Sequence, residues 1–430
     1  MKRLLENLIR EWRQRPLPNI LPREINLKKY INIGEGVNKI ITVVGFRRTG
    51  KTYALLELAQ KIGRENCVYL NLEDERLPRE TKILTLFLET LTEIYQDKPY
   101  FLLLDEVQNI PNWNLWARRV NETTNHRLFL SGSSSKLSSA ELPTELRGRS
   151  LTVKIEPLNF REFLKFRKVP FKELPRPQKL FWLREYLSYG GFPETVLAEE
   201  GKKPLILDEY YQTFIRRDIV DRYRLRNDTA MKALVPFLLN SSYITIARTE
   251  RNLKTAGLAV SKPTVMRYLN YLQQSFFLTE ILLHTPSLKN RLAAEKKPLF
   301  VDNFFLSRYA TSFTQNTGRL MENMVGQKII HDLTTEEEVY YWKDYQGREV
   351  DYAVRRQETT KGLFQVSFVS RQEEIAEREI KALTKAAEQL KTENLKLITW
   401  DYEGEITTGS HTINCQPLDR FLLEKCLDQS

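Results

Sequence analysis

An α/β fold built on a parallel sheet is predicted by three observations. A run of β-branched residues, Ile41 to Val44, feeds directly into Gly45-Phe-Arg-Arg-Thr-Gly50-Lys51-Thr52 and then into a helical pattern opening at Tyr53. A second apolar run, Phe101 to Leu104, ends on the acidic pair Asp105-Glu106, and uninterrupted apolar runs of this kind are how buried parallel strands read. Two further strand-like segments, from Cys67 and from Arg127, alternate with helical patterns in the order expected of repeated βα units.

The first element carries the strongest chemistry. A Gly-x-x-x-x-Gly-Lys-Thr turn between strand and helix folds its backbone N–H groups inward, and the helix N-terminus adds partial positive charge, so the loop is built for phosphate. The predicted ATP-contacting residues are Gly45, Phe46, Arg47, Arg48, Thr49, Gly50, Lys51, Thr52 and Tyr53. Lys51 reaches the β- and γ-phosphates in such a loop, and the Thr52 hydroxyl ligates Mg²⁺. The acidic pair supplies the other half: Asp105 is expected to hold Mg²⁺ with Thr52, and Glu106 to polarise the attacking water.

Two later segments hold subsidiary candidates. Arg127-Leu-Phe-Leu-Ser-Gly-Ser-Ser reads as a strand whose polar end places Ser131, Ser133 or Ser134 to sense a γ-phosphate, with a plain flexible turn as the equal alternative. Arg147 and Arg149, ahead of the strand at Leu151, are candidate arginine fingers acting on a neighbouring subunit, or else partners in internal salt bridges.

Composition bounds the rest. A chain of 430 residues has length for two to four domains, and 41% hydrophobic with 28% charged residues is ordinary for a globular protein. No stretch reaches the roughly 18 apolar residues of a membrane span. The N-terminal Met1-Lys-Arg-Leu-Leu-Glu-Asn-Leu-Ile-Arg alternates charge with apolar residues and lacks a signal-peptide core. Cys67, Cys415 and Cys426 show no metal-ligand spacing and suit a reducing cytoplasm, which is the expected location. A net charge of +11 tilts the partner expectation toward nucleic acid.

The ordered set of motifs resembles the prokaryotic AAA-type ATPases of the archaeal-ATPase group that carry a C-terminal nuclease-like domain of unknown function. The matching pieces are Gly45-Phe-Arg-Arg-Thr-Gly-Lys-Thr, Leu104-Asp-Glu-Val-Gln with Trp113 behind it, Leu130-Ser-Gly-Ser-Ser, Leu146-Arg-Gly-Arg, Pro157-Leu-Asn-Phe-Arg-Glu-Phe, Gly190-Gly-Phe-Pro-Glu and Glu349-Val-Asp-Tyr. The resemblance implies a core of the additional-strand class with Asp105-Glu106 as its acidic motif. It also implies a homo-oligomer, with a hexamer among the forms allowed.

Residues 158–235 read as a helical lid, interrupted at Gly190-Gly-Phe-Pro, with a basic helix over 210–226 that includes Arg216 and Arg217. Over 243–283 the pattern is helix-turn-helix: a first helix from Tyr243, a turn at Thr255 to Val260, and a second helix capped by Ser261. Phe276-Phe-Leu and Ile281-Leu-Leu then suit the strands of a wing. Five basic against two acidic residues over 243–280, a net of +3, favour phosphate contact, with Lys262 and Arg267 as the candidate DNA-binding residues.

The C-terminal segment looks like the restriction-endonuclease-type PD-(D/E)XK fold, with Glu322 and Asp351 as its helix and strand acids. The Glu-x-Lys that should follow is Gln365-Val366-Ser367, so two of the four polar groups are missing and a non-cleaving domain is expected. The predicted organisation is a 1–35 N-terminal arm, a 36–157 AAA-type core, a 158–235 helical lid, a 236–288 winged helix and a 289–430 degenerate nuclease-like α/β domain. The expected function is ATP hydrolysis coupled to DNA binding or remodelling. The alternatives are a nucleotide-gated signalling or defence switch that binds protein partners and, last, an active Mg²⁺-dependent nuclease.

Overall fold

The computed structural model describes residues 1–32, 37–96, 98–133, 137, 146–226, 228–310 and 317–427. They form two compact units, Met1–Pro157 with Gln274–Phe276, and Leu158–Gln273 with Phe277–Ser430.

The first unit begins with α1 (Lys2–Gln14), whose Leu5, Leu8, Ile9 and Trp12 fall on one face at helical spacing and join the core. The Trp12 indole donates to the carbonyl of Cys67 at 3.1 Å, which ties this helix to the sheet. There follow β1 (Ile40–Val44), α2 (Lys51–Ile62), β2 (Cys67–Asn71), α3 (Lys82–Tyr95), β3 (Phe101–Asp105), α4 (Trp113–Thr123), β4 (Arg127–Gly132) and β5 (Ser150–Lys154). All five strands are parallel, in the order β2-β3-β4-β1-β5.

Strand β4 therefore lies between β1 and β3, the additional-strand arrangement that the motifs imply. The register pairs Val44 with Gly132 and Leu104 with Leu130, so the C-terminal ends of β1, β3 and β4 open on one edge of the sheet. Ligands bind at such an edge in open α/β sheets. Strand β1 is buried along its whole length. Each buried Ile or Val there stabilises by roughly 1.5–3 kcal/mol, which fixes the strand end that carries the glycine loop.

The second unit opens with helices α5 (Phe160–Phe166), α6 (Arg176–Tyr189), α7 (Pro193–Leu197) and α8 (Lys203–Thr213). A π-helical turn, Phe214–Asp221, interrupts the basic helix expected over 210–226, because a wider turn leaves much the same apolar spacing in sequence. The break at Gly190-Gly191 closes on Asp302: the Gly191 N–H donates to its carboxylate at 2.8 Å, and a Cβ on Gly190 would collide with the same carboxylate. That close approach accounts for Gly190, and the Leu158 carbonyl, with which a Cβ on Gly191 would collide, accounts for the second glycine.

Next come α9 (Thr229–Leu239), α10 (Ile246–Thr255), α11 (Lys262–Gln274), β6 (Leu278–Leu283), α12 (Leu288–Ala293), β7 (Lys297–Phe300) and α13 (Asn303–Tyr309). Two expectations are corrected. Helix α10 starts three residues after Tyr243, because Ile244 is held in a bridge to Lys296 and the Thr245 side chain caps the helix through the Arg248 N–H. The runs Phe276-Phe-Leu and Ile281-Leu-Leu do not form two strands: Leu278 to Leu283 are one strand, β6, and its antiparallel partner is β7.

The remaining elements are α14 (Thr317–Asp332), β8 (Glu337–Lys343), β9 (Glu349–Arg356), β10 (Thr359–Ser367), α15 (Glu377–Leu390), β11 (Leu395–Thr399), β12 (Gly404–Thr408), β13 (His411–Pro417) and α16 (Leu418–Leu423). Their strands join one mixed sheet of order β12-β13-β11-β10-β9-β8-β6-β7. Helix α15 covers this sheet with Ala382, Leu383, Ala386 and Ala387 against Trp342, Val350, Leu363 and Leu397.

Candidate functional site

The glycine loop leaves the end of β1 through Gly45, whose φ of +150° and crowding against the Ile155 carbonyl leave no room for a Cβ. Gly50, at φ +100°, is the N-cap of α2 and turns the chain into the helix. The Thr49 hydroxyl donates to the Phe46 carbonyl at 2.9 Å, and the Lys51 ammonium donates to the carbonyls of Gly45 (3.1 Å) and Phe46 (3.0 Å). Lys51 is thus laid across the loop it belongs to, buried, with its charge over the inward-facing backbone. Tyr53 is half exposed.

Outside the loop, Arg23 braces it. One guanidinium nitrogen donates to the Thr49 carbonyl at 3.0 Å and the other to the Glu156 carbonyl at 3.0 Å, linking the loop to the chain just beyond β5. Nothing in the sequence around Arg23 marks this role, since the contacts span 26 and 133 residues.

Asp105 stands at the end of β3, 2% exposed, and three hydroxyls converge on it. Thr52 donates to Oδ2 at 2.6 Å, Tyr69 donates to Oδ2 at 2.9 Å, and Ser131 donates to Oδ1. Burial raises the Asp105 pKa, the neighbouring Glu106 charge adds to that, and the three hydroxyl bonds oppose it. The Tyr69 phenol is itself pushed far up, by burial first and then by the Asp105 charge. Tyr69 was not legible as a site residue: it is brought to Asp105 only because β2 is the parallel neighbour of β3.

Glu106 follows in a left-handed conformation, φ +53° and ψ +46°, which swings its side chain out of the strand direction. Its N–H donates to the Ser131 hydroxyl at 3.1 Å, and its carboxylate accepts from the Gln108 amide and from the Ser133 hydroxyl at 3.4 Å. Of the three serine candidates, Ser131 and Ser133 are therefore engaged with the acidic pair, and Ser134 lies outside the described residues. Gly132 leaves space for Gln108, with which a Cβ at that position would collide.

Thr52 and Asp105 offer a hydroxyl and a carboxylate 2.6 Å apart at the helix and strand ends. Two hard oxygen donors of this kind, completed by phosphate and water, fit Mg²⁺. Among the described residues no cluster of three or more His, Cys, Asp or Glu could hold a metal ion by itself. Arg149 pairs with Glu122 at 2.8 Å, and Glu122 also takes Arg118 at 3.1 Å, whereas Arg147 is exposed.

In the second unit, Lys262 and Arg267 lie exposed on α11 beside Met266 and Asn270, while Val265, Tyr268, Leu269 and Leu272 face inward. The acids Glu322 on α14 and Asp351 on β9 are brought together by a residue the sequence did not flag: the Lys297 ammonium, from β7, lies 2.6 Å from Glu322 and 2.7 Å from Asp351. No helix of the described residues is long and apolar enough to cross a membrane.

A family model described as an AAA domain matches residues 37–164, and two models described as domains of unknown function, DUF8612 and DUF4143, match 180–317 and 317–418. The uncharacterized protein MJ1544 of Methanocaldococcus jannaschii is 34% identical over 404 residues, covering 90% of this chain and 88% of that protein. An uncharacterized protein of Haemophilus influenzae is 27% identical over 315 residues, covering 71% of this chain and 78% of its own length. Among solved structures, the Walker-type ATPase PABY2304 of Pyrococcus abyssi aligns with a TM-score of 0.49 at 14% identity, over 69% of this chain and 98% of that one.

Proposed function

This chain belongs to the family of the archaeal protein MJ1544, and we propose that, as an AAA-type P-loop ATPase, it couples ATP turnover to DNA binding or remodelling. At the ATP site, the loop from Gly45 to Tyr53 binds the phosphates, and Lys51 neutralises charge on the β- and γ-oxygens. Thr52 and Asp105 hold Mg²⁺, which when bound screens the phosphate charge. Glu106 orients the attacking water for in-line displacement. Ser131 and Ser133 act through the acidic pair they contact, and Arg147, exposed and outside the Glu122 pair, is the stronger candidate for a finger in trans within a homo-oligomer.

The single observation that carries the DNA reading is the outer face of α11. Helices α10 and α11, the Ile244–Lys296 bridge and the β6–β7 ribbon have the element order of a winged helix, and the exposed side of its second helix holds Lys262, Arg267 and Asn270. A cation pair and an amide on the exposed face of this helix suit phosphate and base-edge contact in a groove. The nuclease-like sheet, with Gln365 and Ser367 where a carboxylate and a lysine are needed, serves in docking and not in cleavage. A second reading, a nucleotide-gated switch that binds protein, draws on the exposed apolar Met266, Leu288 and Leu292 nearby.

The deciding experiment measures duplex binding and ATPase rate across a salt series for wild type, Lys51→Ala and the Lys262→Ala/Arg267→Ala pair. The DNA reading expects salt-dependent binding, stimulated turnover, and a slope of log K against log salt reduced by roughly 2 in the double variant. Binding and turnover indifferent to both substitutions would transfer the argument to the protein-binding switch.

A further inference from the structure

A nuclease reading of the second unit's sheet implies a divalent cation between Glu322 and Asp351, and the residues present do not fit one. The Lys297 ammonium stands where such an ion would: 2.6 Å from Glu322, 2.7 Å from Asp351 Oδ1 and 3.6 Å from Glu349, with its side chain only 4% exposed. The other oxygen of Asp351 accepts the Val366 N–H at 2.9 Å, so both of its oxygens are already used by protein donors. Gln365, in the position of the missing carboxylate, turns its carbonyl oxygen to the Asp351 N–H at 3.3 Å. Glu379, on α15, meets Ser367 and does not complete a metal-holding group.

We propose that Lys297 is the built-in counter-ion of this acidic cluster, replacing the divalent cation and closing the cluster to metal. The lysine comes from β7, whereas the motif's lysine would come from β10, two strands beyond the Asp351 strand's partner β8 in chain terms but on the opposite side of Asp351 in the sheet. Its position is over-determined. Tyr352 stacks its ring face 5.1 Å from the ammonium while its hydroxyl donates to the Glu322 carbonyl at 2.9 Å. Burial alone would drive the proton off Lys297, but Asp351 and Glu322 outweigh it and hold the pKa well above the ordinary lysine value. A buried cation that keeps its proton cancels one carboxylate charge and fills the space between Glu322 and Asp351, so a divalent ion could enter only by displacing it.

The consequence is that this cluster makes no divalent-ion demand of its own, in contrast to the ATP loop. The proposal stands on the cluster itself and is independent of whether the chain binds DNA.

The test is Mn²⁺ binding to the nucleotide-free full chain, followed by calorimetry and by the thermal unfolding midpoint. Wild type is expected to show no saturable Mn²⁺ binding and no rise in Tm that Asp351→Asn removes. Lys297→Ala is expected to have a lowered Tm that Mn²⁺ restores, with one ion bound at least about tenfold more tightly than to wild type. The further change Asp351→Asn in that background should abolish the gain. One Mn²⁺ held by wild type and lost in Asp351→Asn would overturn the proposal, and so would a folded Lys297→Ala protein indifferent to Mn²⁺. Should Lys297→Ala not fold, the wild-type and Asp351→Asn titrations still decide, and Lys297→Arg, which keeps the charge, should fold and remain blind to Mn²⁺.

Discussion

Replacing Tyr69 by Phe removes one hydroxyl and leaves the ring, so the packing of that ring against Trp12, 5.5 Å between centroids, is kept. What is lost is one of the three hydroxyl bonds to Asp105, 2.9 Å long and shielded from water. A hydrogen bond to a charged group is worth roughly 1.5–3 kcal/mol, and this one favours the charged carboxylate over its protonated form. Burial has already raised the Asp105 pKa, and the Tyr69 bond is one of the interactions holding it down, so the variant raises it further. Below the new value Asp105 carries a proton that Mg²⁺ must displace; above it, the carboxylate is charged and the handicap disappears. The assay is ATPase rate against Mg²⁺ at fixed ATP, once at an acid and once at an alkaline pH. The half-saturating Mg²⁺ should rise by up to roughly tenfold to hundredfold at the acid pH and approach wild type at the alkaline one. A Mg²⁺ dependence unchanged at both pH values, or a loss equal at both, would refute the reasoning.

Glu106→Gln should keep ATP affinity and lower kcat by roughly 10²–10⁴-fold, because it removes the base and little of the binding surface; wild-type turnover would remove Glu106 from its assigned role. Arg23→Ala withdraws two charge-assisted bonds from the loop and its backing, so KM for ATP should rise about tenfold with kcat nearly kept, as steady-state kinetics would show. Asp302 is wholly buried with a pKa pushed up to about 7, burial being the cause against the N–H bonds of Gly191 and Phe304. A raised carboxylate favours the folded state while protonated, so its contribution falls as pH climbs from the unfolded value of about 4 to about 7 and is flat above. Urea unfolding of wild type minus Asp302→Asn should trace that fall, and parallel pH profiles for the two proteins would contradict it.

The ATP loop and acidic pair were legible because each is contiguous in sequence and sits at a strand end, where the backbone alone fixes direction. Partners that reach the site from elsewhere were not. Tyr69 arrives through the β2–β3 pairing and Arg23 through a contact spanning 133 residues, and neither leaves a local pattern. Gln108 was visible within Leu104-Asp-Glu-Val-Gln, but its bond to Glu106 depends on the left-handed turn at Glu106, which apolar periodicity does not report. The second wing strand was misplaced for a related reason. Lys297-Pro-Leu-Phe carries no mark of its partner, and two apolar triplets over 276–283, parted by Thr279-Glu280, offer two short strands as readily as one.

The same limit explains how the missing lysine of the C-terminal pattern was read. Gln365 and Ser367 show that the motif's own lysine is gone, yet a positive charge can enter a carboxylate cluster from any neighbouring strand, and Lys297 does so from β7. Two of the buried aspartates, Asp105 and Asp351, are therefore treated in opposite ways. Thr52, Tyr69 and Ser131 meet Asp105 with hydroxyls, which orient a carboxylate without cancelling its charge. Asp351 meets a full ammonium and a backbone N–H. At an effective dielectric of about 20, opposite unit charges 4 Å apart attract by about 4 kcal/mol, a compensation that neutral donors do not provide. An aspartate left negative in a buried place attracts a cation from solution, and one already neutralised does not. By that physical criterion Asp105, rather than Asp351, is where we propose that a divalent ion is held.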